Sequence, residues 1–246
     1  MAIGHPVISF DTVESTNKTA AELLRLSKVQ HGAVIVARAQ TAGEGQRGRT
    51  WVSEPGADLT LSVVLEPERL RAVDQFELSK VAALAVAEVV RQRVSGEVRI
   101  KWPNDVLVGR NKVSGILIKN ELVGEWVQSS VVGIGINVNS AGFPDELVAT
   151  SLLLETGGVV PVDGLRQDLC AALARYWALL ERGGADLAEA YTAQLWMRGR
   201  WADMVLDARP VTVRPLDVDG SGRLLVEDPD GRVAVYGLDR LRFAPR

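Results

Sequence analysis

Apolar positions along the chain fall into runs and stripes whose spacing predicts alternating strands and helices. Residues 7–10 read as a short strand. The stripe of Ala20, Leu23, Leu24 and Leu26 then predicts a helix that begins near Ser15. The β-branched run at 33–37 and the apolar stretch at 59–65 read as buried strands. Residues 74–94 predict a long helix, apolar on every side at 81–87 and therefore packed centrally. Strands are predicted at 98–100, 106–108, 112–118 and 126–132, the second and third joined as a hairpin by Gly109-Arg110-Asn111. Two amphipathic helices follow at 163–180 and 186–197. From about Gly199 the pattern changes to short alternating segments at 210–214, 224–227 and 233–236, separated by Asp, Gly, Ser and Pro. The chain thus reads as an α/β (α+β) core over residues 1–198 and a small β module over 199–246.

Polar interruptions of this pattern carry the candidate chemistry. The most pointed one spans residues 40–51, where Gly43, Gly45 and Gly48 alternate with Gln40, Glu44, Gln46, Arg47 and Arg49 and the stretch ends at Trp51. Such a loop can curl close to an anion and aim amide and guanidinium groups at it. The glycine spacing also fits a dinucleotide-binding turn, but Pro55 and Gly56 stand where the phosphate-binding helix should begin, so that label is rejected. A glycine-rich surface loop is the plain alternative. Ser15, Thr16 and Asn17 open the first helix, either to meet a polar ligand or only to cap it. Lys101-Trp102-Pro103-Asn104-Asp105 gathers a lysine, an amide and a carboxylate at a strand end. Lys112 enters the next strand, where it could be an edge charge against aggregation. Gly133 and Gly135 weaken their strand unless something approaches its backbone closely, and a ligand is the economical explanation.

Composition narrows the field. Hydrophobic content of 47% with 24% charged residues describes a folded globular chain and excludes disorder. A net charge of −3 argues against general adhesion to nucleic acid or acidic membranes, so any positive charge that matters is local. The single cysteine, Cys170, excludes an intramolecular disulfide, and with only His5 and His31 no His/Cys metal cluster is expected. No leader-like start or membrane-length apolar run is present, so a cytoplasmic protein is expected. P-loop and Ser-His-Asp patterns are missing too. What remains for scattered Lys and Arg beside glycine backbone is to neutralise a carboxylate and phosphates without a covalent nucleophile.

Taken in order, Ser15-Thr16-Asn17, Gln40-Thr41-Ala42-Gly43, Gly48-Arg49-Thr50-Trp51, Lys101-Trp102-Pro103-Asn104-Asp105, Lys112 through Leu117, Gly133 through Asn139, and Ala149-Thr150-Ser151-Leu152 resemble the motif series of biotin protein ligases. The resemblance covers most of residues 7–152, and the C-terminal module looks like that family's SH3-like domain. It implies a mixed-sheet catalytic core that uses biotin and ATP as substrates, with Mg2+. A biotinyl-5′-adenylate forms, and a lysine on a biotin carboxyl carrier protein domain of an acyl-CoA or pyruvate carboxylase takes the biotinyl group. By the same resemblance Lys112 bridges the biotin carboxylate and the α-phosphate. Ser15, Thr16, Asn17 and Gln40 with Gly43, Glu44, Gly45, Gln46 and Gly115 surround biotin. Trp51, Asn104, Gly135 and Asn137 face the nucleotide, Arg47 and Arg49 face phosphate, and Asp105 orients the incoming lysine or a metal-bound water.

One stretch departs from the family pattern. Where the family usually reads Gly-Arg-Gly-Arg-x-Gly-Arg, this chain has Gly43-Glu44-Gly45-Gln46-Arg47-Gly48-Arg49, so two arginines are replaced. The expectation is weaker retention of the adenylate, through a lost cation at Gln46 and repulsion from Glu44. Bifunctional family members carry a DNA-binding helix-turn-helix ahead of the core. About six residues precede the first strand here, so no DNA partner is expected. Two alternatives stand beside the ligase reading: a lipoate ligase or octanoyl transferase of the same superfamily, and a catalytically silent biotin- or carrier-binding module. Neither the oligomeric state nor the carrier's docking surface is indicated.

Overall fold

The computed structural model describes residues 2–144 and 146–244. Strands β1 (Val7–Val13), β2 (Val34–Gln40), β3 (Leu59–Leu65), β4 (Val98–Lys101), β5 (Asp105–Val108), β6 (Asn111–Val123) and β7 (Trp126–Ile136) form one sheet. Their order is β1-β2-β3-β7-β6-β5-β4. The β1–β2 pair is parallel, joined through helix α1 (Thr16–Arg25), and the other neighbours are antiparallel. The sheet is therefore mixed.

Alternation along β3 shows how the sheet divides its two faces. Leu59, Leu61, Val63 and Leu65 join the main core with helix α2 (Glu77–Arg91), α4 (Val162–Glu181) and α5 (Ala185–Ala193). Val64 faces the other way, packing with Ala20 of α1, Ile35 of β2 and Val131 of β7. Because side chains alternate with period two, Thr60 and Ser62 also fall on the α1 face, where polar groups gather. The same alternation sends Val132, Ile134 and Ile136 of β7 into the main core and leaves the alternate glycines toward α1.

Helix α2 is buried from Leu78 to Val90 apart from Ser79 and Glu88, as its apolar middle requires. Its buried Lys80 pairs with Glu77 at 2.7 Å. The helix starts later than the hydrophobic pattern suggests, because a short 3-10 turn at Ala72–Asp74 precedes it. Helix α5 stops at Ala193, short of the expected 197. Residues beyond it leave the helix to pair with β4, Ile100 donating to the Gln194 carbonyl at 2.9 Å and Trp196 donating to that of Ile100 at 2.8 Å. A buried sheet edge thereby gains partners that helix continuation would deny it. A short helix α3 (Leu152–Thr156) lies outside the predicted set.

The C-terminal part forms a separate five-stranded antiparallel sheet, order β11-β10-β9-β8-β12. Its strands are β8 (Ala202–Leu206), β9 (Arg209–Val218), β10 (Leu224–Glu227), β11 (Val233–Tyr236) and β12 (Leu241–Phe243). Two of them, β8 and β12, add to the three read from the sequence. β6 lies between β7 and β5, which corrects the edge-strand explanation for Lys112. An interior strand needs no charge against aggregation.

Candidate active site

A cavity of about 620 Å³ opens on the α1 face of the mixed sheet, within the size range of small-molecule sites. Every expected site residue except Gly43 lines it. Gly43 lies just behind, where its carbonyl accepts from the Trp51 amide at 2.9 Å and closes the base of the loop.

At one end the start of α1 meets the end of β2. Ser15 is the N-cap, yet its side chain makes no capping hydrogen bond. Gln40 reaches across instead, its Oε1 accepting from the Thr16 amide at 2.8 Å. Ser15 is buried at the cavity wall. Side-chain capping, the plain alternative for the helix start, is therefore not the role of Ser15. Asn17 is engaged at both ends of its amide. Its Nδ2 donates to the Leu117 carbonyl at 3.0 Å, and its Oδ1 accepts from Ser62 at 2.7 Å. Ser62 also lies 2.8 Å from the Thr16 hydroxyl, so one β3 side chain sets two helix residues.

The floor is made by glycine. An added Cβ at Gly133 would stand 2.3 Å from Asn17, and one at Gly135 would stand 2.3 Å from the Trp51 indole. Gly115 on β6 pairs directly with Gly135, and the indole lies across both. Two adjacent strands thus surrender side chains so that flat groups can rest on their backbone. The Trp51 Nε1 is buried without a hydrogen-bond partner among the described residues.

Charge concentrates at the opposite wall. β4 and β5 turn tightly through Trp102–Asn104, which carries Asp105 to the cavity, and the Lys112 Nζ lies 2.6 Å from the Asp105 Oδ1. The same ammonium stands 5.5 Å from the Trp51 ring centroid, a cation–π distance. Asn104 donates to the Ile116 carbonyl at 2.8 Å and holds the turn against β6. Asn137 donates to the Thr150 carbonyl at 3.0 Å, so its amide braces the segment that passes Lys112.

The glycine-rich loop folds as a tight hairpin, with Glu44 bridging Thr50 and the Gly45 amide donating to the Arg49 carbonyl at 2.6 Å. Arg47 takes a left-handed backbone (φ 57°) and donates to the Leu238 carbonyl of the C-terminal module at 2.6 Å. Arg49 lines the cavity and forms no ion pair with another described residue. The Glu44 carboxylate is met by Lys119 at 2.5 Å and Lys18 at 3.9 Å, which answers the repulsion expected of it.

Besides Ser62, two contributors escaped the sequence reading. Asp58 is buried, accepting from the Val138 amide at 2.8 Å and the Ser140 hydroxyl at 2.6 Å, and so ties the loop after Trp51 to the end of β7. The second is the C-terminal module itself, whose Leu238, Arg242 and Phe243 close one side of the cavity.

A polar and cationic cavity on a glycine floor, in a mixed sheet with an appended β module, defines a class that comparison identifies. The sequence model of the Biotin/lipoate A/B protein ligase family matches residues 9–137, and the chain belongs to that family. A biotin--[acetyl-CoA-carboxylase] ligase of Paracoccus denitrificans is 36% identical over 89% of this chain and 95% of its own. The bifunctional ligase/repressor BirA of Bacillus subtilis is 33% identical over 96% of this chain and 74% of its own. The biotin protein ligase of Aquifex aeolicus, solved in complex with biotin and ATP, superposes with a TM-score of 0.78 at 26% identity, covering 98% of this chain and all of that one.

Proposed function

We propose that this chain joins biotin to a lysine of a biotin carboxyl carrier domain, using MgATP and passing through biotinyl-5′-adenylate. The observation that carries the reading is the Lys112 ammonium, held 2.6 Å from Asp105 in the cavity that also contains the Ser15, Thr16 and Gln40 corner. In the first half-reaction a biotin carboxylate oxygen attacks the α-phosphorus of ATP, a P–O bond forms, and pyrophosphate departs with its electron pair. Two anions must approach, so a fixed cation between them lowers the barrier. Lys112 is that cation, and Arg49 faces the phosphates. In the second half-reaction the carrier amine attacks the acyl carbon, AMP leaves, and the amine gives up a proton. Asp105 orients that amine once the Lys112 ammonium has turned to the substrate anions.

Ser15, Thr16 and Gln40 are assigned to the ureido ring of biotin, and Trp51 to adenine, on which an indole can stack. Mg2+ accompanies the triphosphate as part of the substrate. The carrier belongs to an acyl-CoA or pyruvate carboxylase, and a cytoplasmic setting goes with an ATP-dependent reaction. Net charge of −3 leaves DNA out of the reading.

Pyrophosphate release by the purified protein with MgATP, comparing biotin, lipoate and octanoate and checking the adenylate by mass, tests the assignment. Release with biotin alone is the expected result. Release with lipoate, or acyl transfer from a thioester without ATP, would replace it with one of the superfamily alternatives.

A further inference from the structure

The loop that carries Arg49 and Trp51 is secured from three sides. Arg47 anchors it to the C-terminal module through the Leu238 carbonyl. Its own hairpin closes through the Glu44–Thr50 bridge and the Gly45 amide. The third attachment is ionic: Glu44 Oε2 stands 2.5 Å from Lys119 on β6, and its Oε1 stands 3.9 Å from Lys18 on α1. Lys18 also pairs with Glu14, whose hydrogen bond first and charge second, followed by the charge of Glu44, raise the ammonium above its ordinary range. Position 44 thus faces two lysines from two different elements. A cation there would be repelled by both.

We propose that Glu44 is a positioning residue for adenylate formation: its bridge to Lys119 and Lys18 clamps the glycine-rich loop over the cavity and keeps Arg49 and Trp51 at its wall. The inference rests on the ligase reading above and goes beyond it by giving the acidic residue a use. Each ion pair is partly exposed and weak on its own. Glycine-rich backbone is easily displaced, so even a small bias added to the other two attachments changes how much of the time the loop is closed. The clamp is electrostatic, and added salt should loosen it.

The test measures the dissociation half-life of biotinyl-adenylate and the KM for biotin in three variants. Glu44→Arg and Lys119→Glu should each speed adenylate release about fivefold and raise the biotin KM, the scale of one or two partly exposed ion pairs lost or reversed. The charge-swapped double variant, Glu44→Lys with Lys119→Glu, should recover most of the wild-type half-life. Hydrogen exchange of residues 43–51 in the free protein should quicken in the single variants and slow again in the swap. Release from Glu44→Arg as slow as wild type, or slower, would overturn the clamp and make Glu44 a mere deficit of positive charge. A swap no better than either single variant would overturn it equally. Failure of the wild-type protein to form adenylate would instead defeat the ligase reading, so the two failures are distinguishable.

Discussion

Among the described residues Lys112 pairs with Asp105, and both side chains are partly exposed. That pairing holds the Lys112 side chain at the cavity wall, where the proposed substrate anions would compete for it. Lys112→Ala should therefore lower the rate of adenylate formation by at least ~100-fold, the usual scale for one electrostatic stabiliser, measured by single-turnover pyrophosphate release. A second titratable group tells about stability instead. His31 Nδ1 accepts from the Glu66 amide at 3.1 Å, while the His31 amide donates to the Glu66 carboxylate at 2.5 Å. Its ring packs on Trp177 with centroids 5.0 Å apart. Burial pushes the imidazole below its ordinary range, so folding favours the neutral ring. Its contribution is complete above the unfolded value near ~6.5 and is lost as pH falls from there through the lower folded value. The urea midpoint should drop over that window by a smaller amount in His31→Gln than in the wild type. Residues such as Lys112 and Gln40 were legible because they sit in dense polar motifs. Ser62 and Asp58 were not, since a lone hydroxyl or carboxylate in a buried stretch has no periodicity to reveal its partner.

Strands and helices were read well where one face is buried and the period is sustained. β3 was found with its observed bounds, and α2 was recognised from its apolar middle. Short elements were lost: α3 has five residues and β12 three, too few for a period to emerge. α5 was drawn too long because pairing with β4 overrides helical propensity at 194–196. The glycines of β7 were flagged as a place of close approach and assigned to a ligand, whereas the fold brings side chains of the chain itself against them. At Gly133 it is Asn17, fixed by Ser62 and Leu117 and unable to yield. At Gly135 it is Trp51, on a loop that can yield. Gly133→Ala should therefore weaken biotin binding at least tenfold, about 1.4 kcal/mol, by calorimetry. Gly135→Ala should mainly raise the KM for ATP, because the displaced element is the indole proposed to stack on adenine. Equal effects of both substitutions on both ligands would contradict the division of the floor.

At the scale of the molecule, the Lys101–Asp105 corner is a joint as well as a site element. Trp102 is almost fully buried, and its Nε1 donates to the Gly222 carbonyl in a turn of the C-terminal module at 2.9 Å. Lys101 lies 5.6 Å from the Trp196 ring and 5.3 Å from that of Phe243, the latter on β12. Gly222 in turn rests against Phe76, just ahead of α2. None of these contacts has a local signature, since each pairs residues 95 to 146 positions apart, so the sequence offered the module but not its seat. The cavity borrows a wall from that module through Leu238 and Phe243, which makes its docking part of the site. Trp102→Phe removes the interdomain hydrogen bond and leaves space in a packed slot, at a combined cost of about 2 kcal/mol. For a chain of this size that corresponds to a fall in melting temperature of roughly 4–8 °C. Because the module shares its packing with the core, calorimetry should show one transition in both proteins. A separate low-temperature transition in the variant, with exchange confined to residues 199–244, would show that the module unfolds on its own and that the shared corner does not couple it to the site.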